Sequence, residues 1–428
     1  MKRSVDLLVV HAGQLLTLQG PSDTPRTGPS LRDVGLVADG AVAAADGVIV
    51  AVGPTAQVLD EVMLSPDGVH LDVGGRVVLP GFIDAHTHLI HAGSRIDEFE
   101  QRLSGATYQQ IAAQGGGILS TMRATRAASE DELLALGRAR LDHMLRSGTT
   151  TVEAKSGYGL RTEDELKSLR VMHRLGAAHE VDVVTTFLGA HVVPPEFAGD
   201  PDRYVGRIVD EMIPAVADED LAEFCDVFCD EGAFTREQAR TVLEAGAEVG
   251  LSPKIHADEL SDGGGALLAA EVGAVSADHL EYASDEGLQA MAEAGTIAVL
   301  LPCTSLFLGL PYARARRMVE LGVAVALATD FNPGTSPTYA MPMAVALASI
   351  SMRLLPSEAI AAATINAAHA IGMAEEVGSL EPGKAADLVV LDATDFREVA
   401  TAFGTNPVAA VVKRGRVVWQ AASVKGAT

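Results

Sequence analysis

The sequence predicts an α/β protein, a (β/α)8 barrel of the TIM type joined to a small β-sandwich domain built from both chain ends. Three observations carry this expectation. Short apolar runs alternate with Ala/Leu/Glu-rich helical segments through the middle of the chain, the texture of parallel strands with helical crossovers. Eight such runs can be counted. Val-rich runs broken by Gly, Pro and Asp lie before and after them, and 428 residues leave room for a second unit beside a barrel of about 250.

In chain order, residues 7–10, 42–52 and 69–79 read as strands, separated by turn residues and by a Pro/Ser/Thr-rich stretch at 20–30 read as a flexible loop. The same texture returns at 387–391 and 410–418. The two ends are therefore expected to share one sheet domain, residues 1–78 with 373–428, around a barrel spanning 79–372. The barrel runs are 82–88, 149–155, 181–191, 224–230, 253–258, 274–280, 296–301 and 323–330. Six of them end in a residue able to do chemistry: His88, Lys155, His191, Asp258 with His256, His279 and Asp330. In a closed barrel these ends converge on one mouth, whereas an open doubly wound sheet would spread them along a crevice.

Composition excludes several function classes. With 48% hydrophobic and 21% charged residues the chain can bury a core, so disorder is not its main state. The 57 acidic against 32 basic residues give 32 − 57 = −25, a field that repels phosphate backbones and anionic headgroups. Neither nucleic acid nor a membrane surface is expected as a partner. The uncharged stretch 294–313 is interrupted by Pro302, Gly309 and Pro311 and is read as a buried strand plus a loop. Asp6 and His11 break any export signal core. Three cysteines, Cys225, Cys229 and Cys303, form no disulfide framework and suit a cytoplasmic location. Cys225 and Cys229 lack partners for a zinc site and are expected to be buried thiols.

The chemistry centres on His86 and His88, which at i and i+2 on a strand point to one face and can chelate one ion. Because the eighth strand of a barrel neighbours the first, Asp330 is expected beside them, with His256 facing them across the mouth. Three imidazoles and a carboxylate suit Zn²⁺ best and are compatible with Fe²⁺ or Mn²⁺. Such an ion with an open position lowers the pKa of water towards about 7 and polarises a carbonyl, which is hydrolytic chemistry. Lys155 raises the idea of a carbamylated bridge between two metals, but no second ligand set accompanies it, so one ion is expected. The glycines at 115–117 lack the Lys-Ser/Thr of a phosphate loop and are read as a hinge.

Seven motifs extend this reading: GSRIDEFEQRLSGATY at 93–108, GGGILSTMRATRAASE at 115–130, EAKSGYGL at 153–160, TFLGAH at 186–191, KIHADEL at 254–260, SADHLEY at 276–282 and ATDFNPGTSP at 328–337. With the paired histidines, they resemble the amidohydrolase superfamily of metal-dependent hydrolase barrels from about residue 79 to 415. The resemblance narrows to the branch that opens the cyclic amide of 4-imidazolone-5-propanoate, giving N-formimidoyl-L-glutamate in histidine degradation. It implies one divalent metal, zinc first and iron next, held by His86, His88, His256 and Asp330. It implies substrate contacts at Arg95, Tyr108, Tyr158, His191, Glu259, Asn332, Gly334 and Thr335, and catalytic roles for Glu259, His279 and Asp330. A homodimer is implied as well. Arg95 offers a planar charged fork for the propionate, and Tyr158, between two glycines at a strand exit, is expected to be exposed for contact. The chain departs from the pattern at His91, where an aromatic is usual, and at Cys303, where a small residue is usual; His91 is expected to point away from the ion. A purine or pterin deaminase would share the barrel and ligands, and an inactive scaffold would need a broken ligand set, which this sequence does not have.

Overall fold

The computed structural model describes residues 2–21, 23–106, 110–111 and 115–422. The chain opens with β1 (Arg3–Leu16), β2 (Leu36–Ala45), β3 (Val48–Pro54), β4 (Val62–Asp72) and β5 (Val77–Pro80). The next eight strands are β6 (Phe82–Asp84), β7 (Thr149–Lys155), β8 (Asp182–Ala190), β9 (Phe224–Cys229), β10 (Ser252–Ala257), β11 (Ser276–His279), β12 (Ile297–Leu300) and β13 (Val325–Leu327). β14 (Leu388–Leu391), β15 (Val408–Lys413) and β16 (Arg416–Gln420) follow.

The first five and last three strands form one mixed sheet in the order β16-β15-β14-β5-β1-β2-β3, with β4 on β1. β1 buries both of its faces: Leu7, Val9 and Leu15 enter one apolar cluster, while Val5, Leu8 and Val10 enter another. Two runs expected as single strands are hairpins. Residues 42–52 divide at Asp46-Gly47, both at positive φ, the Asp-Gly signature of a tight two-residue turn. Residues 410–418 divide in the same way at Arg414-Gly415. The 20–30 stretch is fastened at Arg26, whose amide donates to Asn366 Oδ1 at 2.8 Å and whose guanidinium donates to the Leu18 carbonyl at 2.6 Å.

The eight central strands are parallel and hydrogen-bonded in sequence from β6 to β13. Closure between the first and last falls just beyond them, where Thr87 bridges Phe331, the Asp330 amide donates to the His86 carbonyl at 3.1 Å, and the His88 amide donates to the Phe331 carbonyl at 2.8 Å. The same short segments therefore close the barrel and carry candidate ligands. They are not ladder strands: β6 and β13 stop at Asp84 and Leu327, earlier than the runs ending at 88 and 330. Gly81 links the sheet to the barrel, and a Cβ there would lie 2.2 Å from Thr150 Oγ1. The 294–313 stretch is strand β12 followed by a helix, Pro302–Leu308, instead of a loop, because proline near a helix start gives up a hydrogen bond the first turn does not make. No helix among the described residues is long and apolar enough to cross a membrane.

Candidate metal centre and active site

At the mouth the rings of His86 and His88 lie 5.3 Å apart, and His256, near the end of β10, lies 4.5 Å from His86 and 5.7 Å from His88. Asp330 Oδ1 is 3.5 Å from His86 Nε2 and 3.7 Å from His88 Nε2. Two groups each bring their ligand atoms within 4.8 Å of one another, His86/His88/Asp330 and His86/His256/His279. His86 Nδ1 meets Asp278 Oδ2 at 2.6 Å and His256 Nδ1 meets Asp226 Oδ1 at 3.1 Å. A carboxylate only accepts, so each Nδ1 is the protonated nitrogen and each Nε2 keeps its lone pair. Both Nε2 atoms are buried without a hydrogen-bond partner. Unsatisfied buried nitrogens are costly, and this convergence of imidazole nitrogen and carboxylate oxygen fits a divalent cation.

The electrostatics agree with that fit. Burial, then the charge of Lys155, holds His86 well below the ordinary imidazole range, and burial followed by His191 does the same for His88. Neutral imidazole is the form that ligates. Burial raises Asp330 to about 6 against a 2.6 Å hydrogen bond donated by Thr304 Oγ1 to its Oδ2. The backbone is left-handed at Asp258, His279, Leu280 and Asp330, none of them glycine, so unfavourable conformations cluster at these strand ends.

His279 lies 5.4 Å from the His256 ring, with Nε2 3.6 Å from Glu259 Oε2 and Nδ1 3.8 Å from Glu281 Oε2. Burial drives Glu259 well above the carboxylate range and Glu281 to about 8. His191 stacks on His88 at 5.0 Å with Nδ1 3.0 Å from the Gly157 carbonyl, and burial lowers it to about 3. Tyr158 lies beside both, 5.6 Å from His88 and 5.4 Å from His191, but is only 2% exposed, correcting the expectation of an open side chain. The reason is Glu165, which accepts from the amides of Gly157, Gly159 and Leu160 and draws the glycine loop inward.

Arg95 Nε donates to Glu98 Oε2 at 2.8 Å, and its guanidinium lies over Gly334, where a Cβ would come within 2.0 Å of Nη1. Asn332 shapes that loop: its Oδ1 accepts from the Gly334 and Thr335 amides, and its Nδ2 donates to Thr335 Oγ1. Asp258, a run end thought able to do chemistry, accepts from the amides of Gly263, Gly265 and Ala266 and so holds a turn. His91 is buried between the Tyr158 and Phe331 rings with Nδ1 2.9 Å from the His88 carbonyl. The three cysteines are buried and free. Tyr108 lies outside the described residues. Gly115 and Gly117 have left-handed backbones, and the Gly117 amide donates to Glu98.

Sequence reasoning missed the layer beneath the histidines. Lys155 Nζ meets Glu153 Oε1 at 2.9 Å, Asp226 Oδ2 at 2.8 Å and Asp278 Oδ2 at 3.2 Å, and Lys254 Nζ meets Glu153 Oε2 at 2.8 Å. All five side chains are 0% exposed. Burial alone would lower Lys155, but Asp226, Glu153 and Asp278 outweigh it and hold it charged. A charged ammonium with three carboxylate partners is not a carbamylated bridge. The available signal was Glu153 and Lys155 two apart on one strand, facing the same way.

Comparison with known proteins agrees with this geometry. The model of the amidohydrolase family matches residues 77–418. The chain is 56% identical over 418 residues to an imidazolonepropionase of Symbiobacterium thermophilum, covering 97% of this chain and 98% of the relative. It is 53% identical over 413 residues to an imidazolonepropionase of Geobacillus kaustophilus, covering 96% and 97%. Among solved structures, a zinc-bound adenosine deaminase from Xanthomonas campestris superposes with a TM-score of 0.70 at 20% identity, covering 97% of this chain and 93% of that one, a likeness of fold. The chain belongs to the amidohydrolase family, and within it to the group whose curated members are imidazolonepropionases.

Proposed function

We propose that the chain hydrolyses the ring C–N bond at the carbonyl carbon of 4-imidazolone-5-propanoate, giving N-formimidoyl-L-glutamate in histidine degradation. The observation that carries the reading is the pair of buried, unpartnered Nε2 atoms of His86 and His256, with His86 common to a close group with His88 and Asp330 and to one with His256 and His279. His86, His88, His256 and Asp330 would hold a single divalent cation, zinc first and iron next. When bound, it supplies a water-derived nucleophile at neutral pH and polarises the carbonyl.

The chain's own residues do the rest. Asp330, raised to about 6, is suited to take the proton of the attacking water near neutrality. Glu259, whose burial favours the protonated form, is suited to deliver a proton to the leaving ring nitrogen. His279 donates to the carbonyl oxygen as charge develops there. Arg95 binds the propionate carboxylate through the guanidinium edge not used by Glu98, while Tyr158, His191, Gly334 and Thr335 wall the ring. Asn332 acts by shaping the loop that carries Gly334 and Thr335, and Tyr108 is assigned to the substrate by its motif.

The same reading makes the enzyme a cytoplasmic homodimer with domains at 1–78 with 373–428 and at 79–372; of these, the cytoplasmic location is supported by its three free buried thiols. The test is to incubate the purified, metal-analysed protein with 4-imidazolone-5-propanoate and follow the product by NMR. Ring opening to N-formimidoyl-L-glutamate is expected. Ammonia release from purine or pterin bases, with the imidazolone left intact, would reverse the assignment to a deaminase.

A further inference from the structure

The polar layer under the histidines joins strands that are remote in sequence. Asp226 on β9 divides its carboxylate between His256 Nδ1 and Lys155 Nζ, at 3.1 and 2.8 Å. Asp278 on β11 divides its own between His86 Nδ1 at 2.6 Å and Lys155 Nζ at 3.2 Å, while Ser276 Oγ donates to its other oxygen at 2.7 Å. Glu153 Oε1 accepts from the same ammonium at 2.9 Å, so Lys155 is hydrogen-bonded to Asp226 and Glu153 and ion-paired with Asp278. Glu153 is in turn held by Lys254 and by Thr186 Oγ1 at 2.8 and 2.5 Å, and Lys254 also donates to the Ala370 carbonyl at 3.0 Å. None of these side chains is open to solvent.

We propose that Lys155 is a positioning residue for the cation site: its ammonium, shared by Asp226 and Asp278, sets the imidazoles of His256 and His86 as one unit with both Nε2 atoms turned inward. The inference rests on the reading of those two histidines as ligands and adds a residue that would not itself touch the ion. Two observations separate this role from a merely structural ion pair. Two of the three carboxylates that bind Lys155, Asp226 and Asp278, also bind a candidate ligand. Three carboxylates (Glu153, Asp226, Asp278) against two ammoniums (Lys155, Lys254) leave an excess of one negative charge beneath the imidazoles; Lys155→Met would raise it to two and by charge alone tighten cation binding, so a loss of affinity there marks positioning. Outer partners of metal-bound histidines generally govern affinity by about 10- to 100-fold.

The experiment measures Zn²⁺ affinity by chelator competition, together with the ¹⁵N-histidine spectrum of the zinc-loaded protein. Wild type should bind one Zn²⁺, with protonated Nδ1 signals from His86 and His256; failure to bind would sink the ligand reading itself. Given binding, Asp226→Asn, Asp278→Asn and Lys155→Met should each lower affinity about 10- to 100-fold. In the Asp226→Asn/Asp278→Asn background, adding Lys155→Met should cost no more than about threefold further, since its route to the ion is already cut. If Lys155→Met does not fold, Asp278→Asn alone remains decisive, because the shared ammonium should carry its effect across to the His256 Nδ1 signal. A folded Lys155→Met protein with wild-type affinity would overturn the proposal. So would an Asp278→Asn protein in which the His86 signal moves and the His256 signal stays fixed.

Discussion

The apolar clusters around β1 and the barrel mouth are both buried, yet they are filled in opposite ways. Around β1 the interior is Leu, Val, Ile and Ala, and left-handed residues fall at the register shift of β1 (His11), at Asp39 in β2 and in turns such as Asp46-Gly47 and Arg414-Gly415. At the mouth the interior holds histidines, carboxylates and two lysines, and left-handed residues fall on His279, Leu280, Asp258 and Asp330. The contrast teaches where each region's stability comes from. The sheet draws it from apolar area removed from water, while the mouth accepts desolvated charge and backbone strain that only specific partners offset.

The largest expected effect lies in the mouth. His256→Ala should lose its metal, seen by elemental analysis, together with turnover; a mutant that keeps a full complement of metal would remove His256 from the ligand set. Arg95→Met comes next: KM should rise about 10- to 150-fold with kcat less affected, the scale of a charge-assisted hydrogen bond. An unchanged KM would refute its role with the propionate.

The sheet should answer in stability alone. Leu15→Ala removes a side chain that is 0% exposed and should cost about 2–5 kcal/mol in denaturant unfolding, with kcat/KM of the folded protein unaltered. A kinetic defect there would break the division between the two regions. Gly334→Ala is a finer probe, because the new methyl must displace the Arg95 guanidinium; KM should rise less than for Arg95→Met while the melting temperature barely moves.

The last expected effect is a pH dependence. Burial raises Glu281 to about 8, against the hydrogen bond from Ser305, so the folded state keeps a proton that the unfolded chain releases above the ordinary value of 4.5. Stability from this group is complete below pH 4.5 and lost as pH rises towards 8. Metal-free wild type should therefore lose ground to Glu281→Gln over that window, by at most about 1.4 kcal/mol per pH unit. Parallel melting curves for the two proteins from pH 5 to 8 would contradict the assignment.

Much of this was legible in the chain because parallel strands buried on both faces read as uninterrupted apolar runs, and eight of them leave few topologies. Their ends were less legible: closure passes through residues 86–88 and 330–331, whose backbone leaves the regular ladder to turn side chains into the mouth. The four candidate ligands stood out because His-x-His and an Asp ending the last run are local patterns. The Lys155 layer did not, since Lys155 meets Asp226 across 71 residues and a lone charge inside a strand has no periodicity to betray it. Tyr158 was misjudged for a similar reason. Two flanking glycines suggest an open loop, and only Glu165, six to eight residues on, reveals that it is drawn inward.

The central claim is that one cation held at this mouth opens the imidazolone ring, and the most direct measurement is a metal titration of metal-free protein. Stepwise Zn²⁺ should bring turnover of 4-imidazolone-5-propanoate from background to a plateau at one ion per chain, with N-formimidoyl-L-glutamate as product. Full turnover before any ion is added, or a plateau reached only at two, would contradict it.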